Sequence, residues 1–150
     1  MTQTTVSPIQ RLQSTLDAMP PVAAMQIRVA DFSHGALRLE APLEANVNDK
    51  GNAFGGSLAS VMTLAGWGLT SLQLEQAGLD AEVYVADSTI RYRAPVYGQL
   101  QASAKANSQA DWEEFMTTFT KRGRARIVLH AAIDGGAAEM QARFVAIARS

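Results

Sequence analysis

Between Lys50 and Glu75 the chain carries no charged residue. Leu58, Val61, Met62, Ala65, Leu69 and Leu72 mark one helical stripe, and the opposite side holds Ser60, Thr63, Leu64, Trp67 and Ser71. A helix this apolar all round is buried on most sides or spans a membrane. Glycines at positions 55, 56, 66 and 68, hydroxyls along the segment, and alternating strands elsewhere that need a core of their own favour burial within protein. Gly66 and Gly68 each cost about 1 kcal/mol relative to Ala in a helix interior, so a strand or a second subunit is expected to approach them closely. The spacing predicts a helix over Ser57–Leu74, about 27 Å long at 1.5 Å per residue. Val83–Pro95, fully extended, runs about 40 Å and is long enough to wrap it.

The flanking segments supply the wrapping. In "SPIQRLQSTLDAMPP", Ser7 is placed to cap a helix with Pro8 in its first turn; Ile9, Leu12 and Leu16 share a face, and Pro20 and Pro21 end the element. From Met25 the period becomes two, giving a hairpin across "SHG" with one wet face. "EVYVADSTIRYRAPVYG" is a long extended run that turns at Pro95 and Gly98 into "QLQASAKAN". In "DWEEF", Asp111 and Glu114 have capping-box spacing, and a short helix closes at Gly123. "RARIVLHAAI" and "MQARFVAIA" form a last hairpin across "DGG". The expected class is α+β: one domain over residues 1–150, with residues 1–21 as a helical extension and a curved antiparallel sheet wrapped around one long central helix.

Composition removes several function classes. The chain has 150 residues, 47% of them hydrophobic and 18% charged, which suits one core. Its net charge of -1 gives no footprint for nucleic acid. No cysteine is present, so disulfides, thiolate-bound metals and a thiol nucleophile are absent. His34 and His130 make neither a metal site nor a triad, and no metal or cofactor is expected. "GGSLA" lacks the nucleophile-elbow pattern, and no phosphate-loop or dinucleotide fingerprint occurs. The first residues have no apolar run behind a basic start, so the cytoplasm is the expected location, with no membrane partner.

Chemistry concentrates in "NDKGNAFGGSLA". A helix start presents unpaired N–H groups and the positive end of the helix dipole, and Gly55 and Gly56 let an oxygen approach without a Cβ in the way. One well-placed donor to an oxyanion is worth about 3 to 4 kcal/mol. Asn46 and Asn48 stand beside it, with the Ser57 hydroxyl at the helix start. Hydrolysis also needs an activated water or nucleophile, and Asp49 and Asp87 are the nearby candidates. A decarboxylation that pushes electrons onto a carbonyl oxygen needs an oxyanion binder and no strong base, which neutral amides and hydroxyls suit better than carboxylates.

"NVNDKGNAFGGSLASVMTLAGWGL" followed by "ADSTIRYRAPVYG" resembles the hot-dog superfamily of acyl-thioester enzymes and, within it, the family named for the YiiD C-terminal domain. The resemblance implies a homodimer, or a dimer of dimers, whose sheets join edge to edge. Acyl-pantetheine would enter between subunits with its thioester carbonyl on the Gly-Gly pair; the substrate itself brings phosphopantetheine, on acyl carrier protein or coenzyme A. Relatives carry an Asn seven residues before the first Gly, matched by Asn48, and an acidic residue seven after the second, which here is Thr63. The resemblance further implies a malonyl-acyl carrier protein decarboxylase supplying acetyl groups for fatty-acid synthesis. Thioester hydrolysis is the alternative, and non-catalytic thioester binding a second. The expected catalytic residues are Asn48, Gly55, Gly56 and Thr63, and the expected substrate-binding residues Asn46, Phe54, Ser57, Asp87 and Arg91. Lys121–Arg126, "KRGRAR", is a candidate contact for an acidic carrier protein.

Overall fold

The computed structural model describes residues 6–149. In chain order its elements are α1 (Pro8–Ala18), α2 (Pro20–Met25), β1 (Arg28–Ser33), β2 (Ala36–Ala41), α3 (Gly55–Gln76), β3 (Ala81–Tyr92), β4 (Leu100–Ala106), α4 (Gln109–Arg122), β5 (Arg124–Ile133) and β6 (Ala138–Ala148). The strands form one six-stranded antiparallel sheet in the order β1-β2-β4-β5-β6-β3. The sheet curves around α3, giving the expected α+β architecture.

Helix α3 is longer than its sequence pattern predicts by two residues at each end. Leu58, Val61, Met62, Ala65, Leu69 and Leu72 are all buried, as the stripe requires. Each of these side chains except the smaller Ala65 contributes about 1.5 to 3 kcal/mol on burial. The facing strands present alternate small residues, Ala102 and Ala104 on β4, Ala131 on β5 and Ala142 on β6, so the sheet floor is low where the helix lies. Gly66 and Gly68 complete the fit. A Cβ on Gly66 would stand 2.5 Å from the Phe144 ring, and one on Gly68 2.8 Å from Leu37 and 3.2 Å from Leu12. The close neighbours are thus side chains of β6, β2 and α1. Among the described residues no helix is long and apolar enough to cross a membrane.

The N-terminal extension belongs to the same core, though its first five residues lie outside the described range. Ser7 caps α1 in a reciprocal capping box with Gln10, Pro8 follows as expected, and Leu12 and Leu16 are buried. The Gln13 amide fastens α1 to β1, accepting from Val29 N–H at 2.7 Å and donating to the Ile27 carbonyl at 2.9 Å. Pro20 and Pro21 end α1 as expected, its last residue being Ala18, but the helical region goes on past them. They open α2, because proline fits the first turn of a helix, where no N–H is needed. The capping box expected at Asp111 and Glu114 is also absent: α4 starts earlier, at Gln109 with Ser108 as its N-cap, and Asp111 sits within its first turn.

Strand β3 lies at one end of the sheet, and its outer backbone edge is unpaired among the described residues. Tyr84, Val85 and Tyr92 are about half exposed there.

The fit at Gly66 is testable. Gly66→Ala adds a methyl group against the fully buried Phe144. That overpacking costs about 1 to 3 kcal/mol, against which the gain in helix propensity is about 1 kcal/mol. Chemical denaturation is expected to show a net loss of stability; a variant at least as stable as the parent would contradict the close approach.

Candidate active site at the start of α3

The loop before α3 is held by its own amides. Asn46 is buried; its side-chain N–H groups donate to the Met25 carbonyl (3.0 Å) and the Pro42 carbonyl (2.8 Å), and its own carbonyl accepts from Phe54 N–H at 2.7 Å. Its Oδ1 is buried without a partner among the described residues. Two residues on, Asn48 Oδ1 accepts from the N–H of Lys50 (2.8 Å) and of Asn52 (3.2 Å), while Nδ2 donates to Asn52 Oδ1 at 2.8 Å. Such side-chain bonds to a backbone two residues on are what Asn supplies in tight loops. Asn48 is therefore first a loop staple, with one Nδ2 hydrogen left uncommitted. Asn46 is a post that ties the loop to α2.

The chain then enters α3 through Phe54, which occupies the N-cap position and makes no side-chain cap. Ser or Asp there would cover the first donors. With Phe, the Ser57 and Leu58 N–H groups bond back to the Phe54 carbonyl, and the Gly55 and Gly56 N–H groups have no partner among the described residues. The Phe54 ring, about half exposed, fills the space a Cβ on Gly56 would need, at 2.5 Å. Gly56 is thus required for this ring position.

On the side away from Phe54 stands Tyr92. Its hydroxyl donates to the Gly55 carbonyl at 3.2 Å, and its ring lies 3.7 Å from where a Gly55 Cβ would be. Thr63, two turns along the same helix face, donates to the Ala59 carbonyl at 2.8 Å and meets Met140 Sδ of β6 at 3.6 Å. Ser60 donates to the Gly56 carbonyl. Gly55, Gly56, Phe54 and Thr63 therefore share one half-exposed face of α3, bordered by Tyr92 and Met140. Ser57 is buried on the other side of the first turn.

Asp87 and Arg91 are not brought to this place. Asp87 pairs across strands with Arg143, and Arg91 with Glu139, on the outer face of the sheet, whereas Ile90 opposite Met140 and Tyr92 opposite Ala138 face α3. The cause is a bulge between Val85 and Asp87 that leaves Ala86 unpaired. Without it, strict alternation from Val83 and Val85 carries Asp87 and Arg91 inward; one extra residue flips every later side chain. Asp87 is engaged by Arg143 at 3.4 Å. Asp49, the other carboxylate candidate, is exposed and pairs with Lys50 at 3.0 Å. That hydrogen bond, together with the Lys50 charge, holds its carboxyl below the usual range, so it is a weak base. The candidate site thus presents amide N–H groups, hydroxyls and an aromatic ring. Among the described residues no His, Asp and Glu cluster fit for a metal ion occurs.

Tyr92 and Met140 were not distinguishable from ordinary strand residues in the sequence. The one available signal was the two-residue spacing from Ile90 to Tyr92, and it acquires meaning only once the bulge has set which side faces in.

Comparison with known proteins agrees with the fold. A protein described as of unknown function from Chlorobaculum tepidum is 29% identical, with a TM-score of 0.89 over 93% of this chain and 94% of its own. A structure described as a "putative thioesterase" from Shewanella oneidensis is also 29% identical, with a TM-score of 0.83 over 93% and 97% of the two chains. A thioesterase from Haemophilus influenzae, 15% identical over 97% and 93%, shares the fold at a TM-score of 0.72. These neighbours make the curved sheet and its long helix a hot-dog fold. The family described as "Putative thioesterase (yiiD_Cterm)" matches residues 9–148, from the first helix to the last strand, and the chain belongs to that family.

Proposed function

We propose that this protein decarboxylates a malonyl thioester, carried on acyl carrier protein, to the acetyl thioester. The observation that carries this reading is an uncapped helix start with two free N–H groups, on a helix face whose other polar groups are neutral. In the reaction the bond between C2 and the carboxylate carbon breaks, CO2 leaves, and the electron pair moves into an enolate whose oxygen is the former thioester carbonyl. A proton from solvent then adds to C2. The developing oxyanion is what Gly55 and Gly56 N–H are placed to hold, at the positive end of the α3 dipole.

Tyr92 strengthens this arrangement. Its O–H donates to the carbonyl of the same peptide group whose N–H belongs to Gly56. Polarising a peptide at its oxygen makes its N–H a better donor, through the cooperativity that links hydrogen bonds in a chain. Thr63 presents a neutral hydroxyl on this face, which spares the malonyl carboxylate a like-charge neighbour.

Hydrolysis is the second reading, favoured by the thioesterase description that the family and the Shewanella oneidensis and Haemophilus influenzae structures carry. It requires a base, and the two candidate carboxylates are each engaged in an ion pair, Asp49 with Lys50 and Asp87 with Arg143. The open edge of β3, with Tyr84 and Val85 half exposed, supports a homodimer joined there. No further cofactor enters this mechanism, since the substrate brings its own phosphopantetheine.

Malonyl-carrier protein incubated with the enzyme and weighed by mass spectrometry separates the readings. Acetyl-carrier protein is expected; free thiol would mean hydrolysis, and unchanged carrier would mean binding alone. A second prediction concerns Asn48. Asn48→Asp keeps the oxygen that accepts from Lys50 and Asn52 and removes both Nδ2 hydrogens, the spare one and the one bound to Asn52 Oδ1, whose amide can turn round to donate to the carboxylate instead. Turnover is expected to fall on the order of 100-fold with the melting temperature little changed; full activity would reduce Asn48 to its loop role.

A further inference from the structure

The outer face of the sheet carries a feature that the start of α3 does not use. Strand pairing places Lys105, His130, Gln141 and Thr89 in one row across β4, β5, β6 and β3, and Ser103, Ala132, Glu139 and Arg91 in the next. With strands about 4.8 Å apart, each row is about 14 Å wide. Ala36 and Ala132 raise nothing above the backbone, so the rows enclose a depression of about 670 Å³ with Arg93 at its margin.

Its charge is unbalanced. Glu139 is the one carboxylate in the lining, and Arg93 takes both its oxygens, at 3.0 and 3.4 Å. Elsewhere on this face Arg38 is paired with Asp134 and Arg143 with Asp87. Arg91 and Lys105 have no acidic partner among the described residues. Three cations and one carboxylate leave a charge of +2 here, before any contribution from His130, on a chain whose net charge is -1. The neighbouring depression between α4 and β5 also holds arginines, but Asp111 and Glu114 line it with them.

We propose that this depression binds a phosphate ester. A phosphate dianion matches the surplus charge; Arg91 offers a planar fork from β3, Lys105 a mobile point charge from β4 at the other end of the rows, and Gln141, on β6 between them, a neutral donor for a remaining oxygen. Two sources share this chemistry: a free nucleotide, and the phosphate of a phosphopantetheine tail. The second source rests on the function proposed above, and the site itself does not. Arg91 and Arg93 flank Tyr92 in the chain, so the depression and the start of α3 are separated by the thickness of one strand.

Calorimetric titration of the full chain with ADP and with 4'-phosphopantetheine, at low and high salt, tests this. Saturable binding that weakens with salt is expected for at least one of the two, about 10-fold weaker in Arg91→Ala and in Lys105→Ala, with melting temperatures unchanged. Tighter binding of phosphopantetheine assigns the site to the substrate tail, and tighter binding of ADP to a free nucleotide. No saturable binding of either probe, or binding indifferent to both substitutions, would overturn the proposal. Neither readout uses turnover, so failure here leaves the reading of the helix start standing.

Discussion

The burial of α3 is the constraint on which the rest of the structure depends. A 22-residue helix whose one charged residue, Glu75, lies at its last turn has to be covered along most of its length, and the sheet and α1 cover it only because Gly66 and Gly68 admit Phe144, Leu37 and Leu12 to its backbone. Contacts of this kind fix the helix in both rotation and translation, since close-packed interiors tolerate little displacement. The first turn is placed as a consequence. Phe54, Gly55 and Gly56 project from the end of a rigid rod, and what they offer to a ligand does not depend on a flexible loop finding its conformation.

The loop that leads into that turn is rigid for a different reason. Three of the four side-chain amide hydrogens of Asn46 and Asn48 are committed to neighbouring oxygens, so the amides that look like free donors in the sequence largely build the approach to α3. The polar groups left over are few and neutral. Charged side chains are sorted to the other side of the sheet, where Asp87, Arg91, Arg143 and Glu139 lie. A thioester bound at the start of α3, as proposed, would meet N–H donors and hydroxyls on one side of β3, while cations gather across the strand.

Much of this was legible in the sequence, and the reasons differ by element. The helix and its glycines were readable because an uncharged stripe has few other solutions, and a glycine inside it needs a neighbour. The hairpins followed from period-two alternation. Asp87 and Arg91 were misplaced because a bulge at Ala86, with no glycine to mark it, reverses the faces of β3 after Val85. Tyr92 went unnoticed for the same reason, since its contact with Gly55 exists only after that reversal. The second helix was hidden by Pro20 and Pro21, which terminate a helix that precedes them and begin one that follows equally well. The self-contained bonding of Asn48 depends on loop conformation, which residue types alone do not fix.

The central claim is that the Gly55 and Gly56 N–H groups hold a thioester oxygen, with Tyr92 sharpening the donor. The vibrational frequency of that carbonyl reports it most directly. Infrared difference spectra of a ¹³C-labelled acetyl thioester, free and bound, are expected to show the carbonyl band moving to lower frequency on binding, and moving less in Tyr92→Phe. A bound thioester whose carbonyl band stays at its solution frequency would contradict the account, because its oxygen would then lie away from the start of α3.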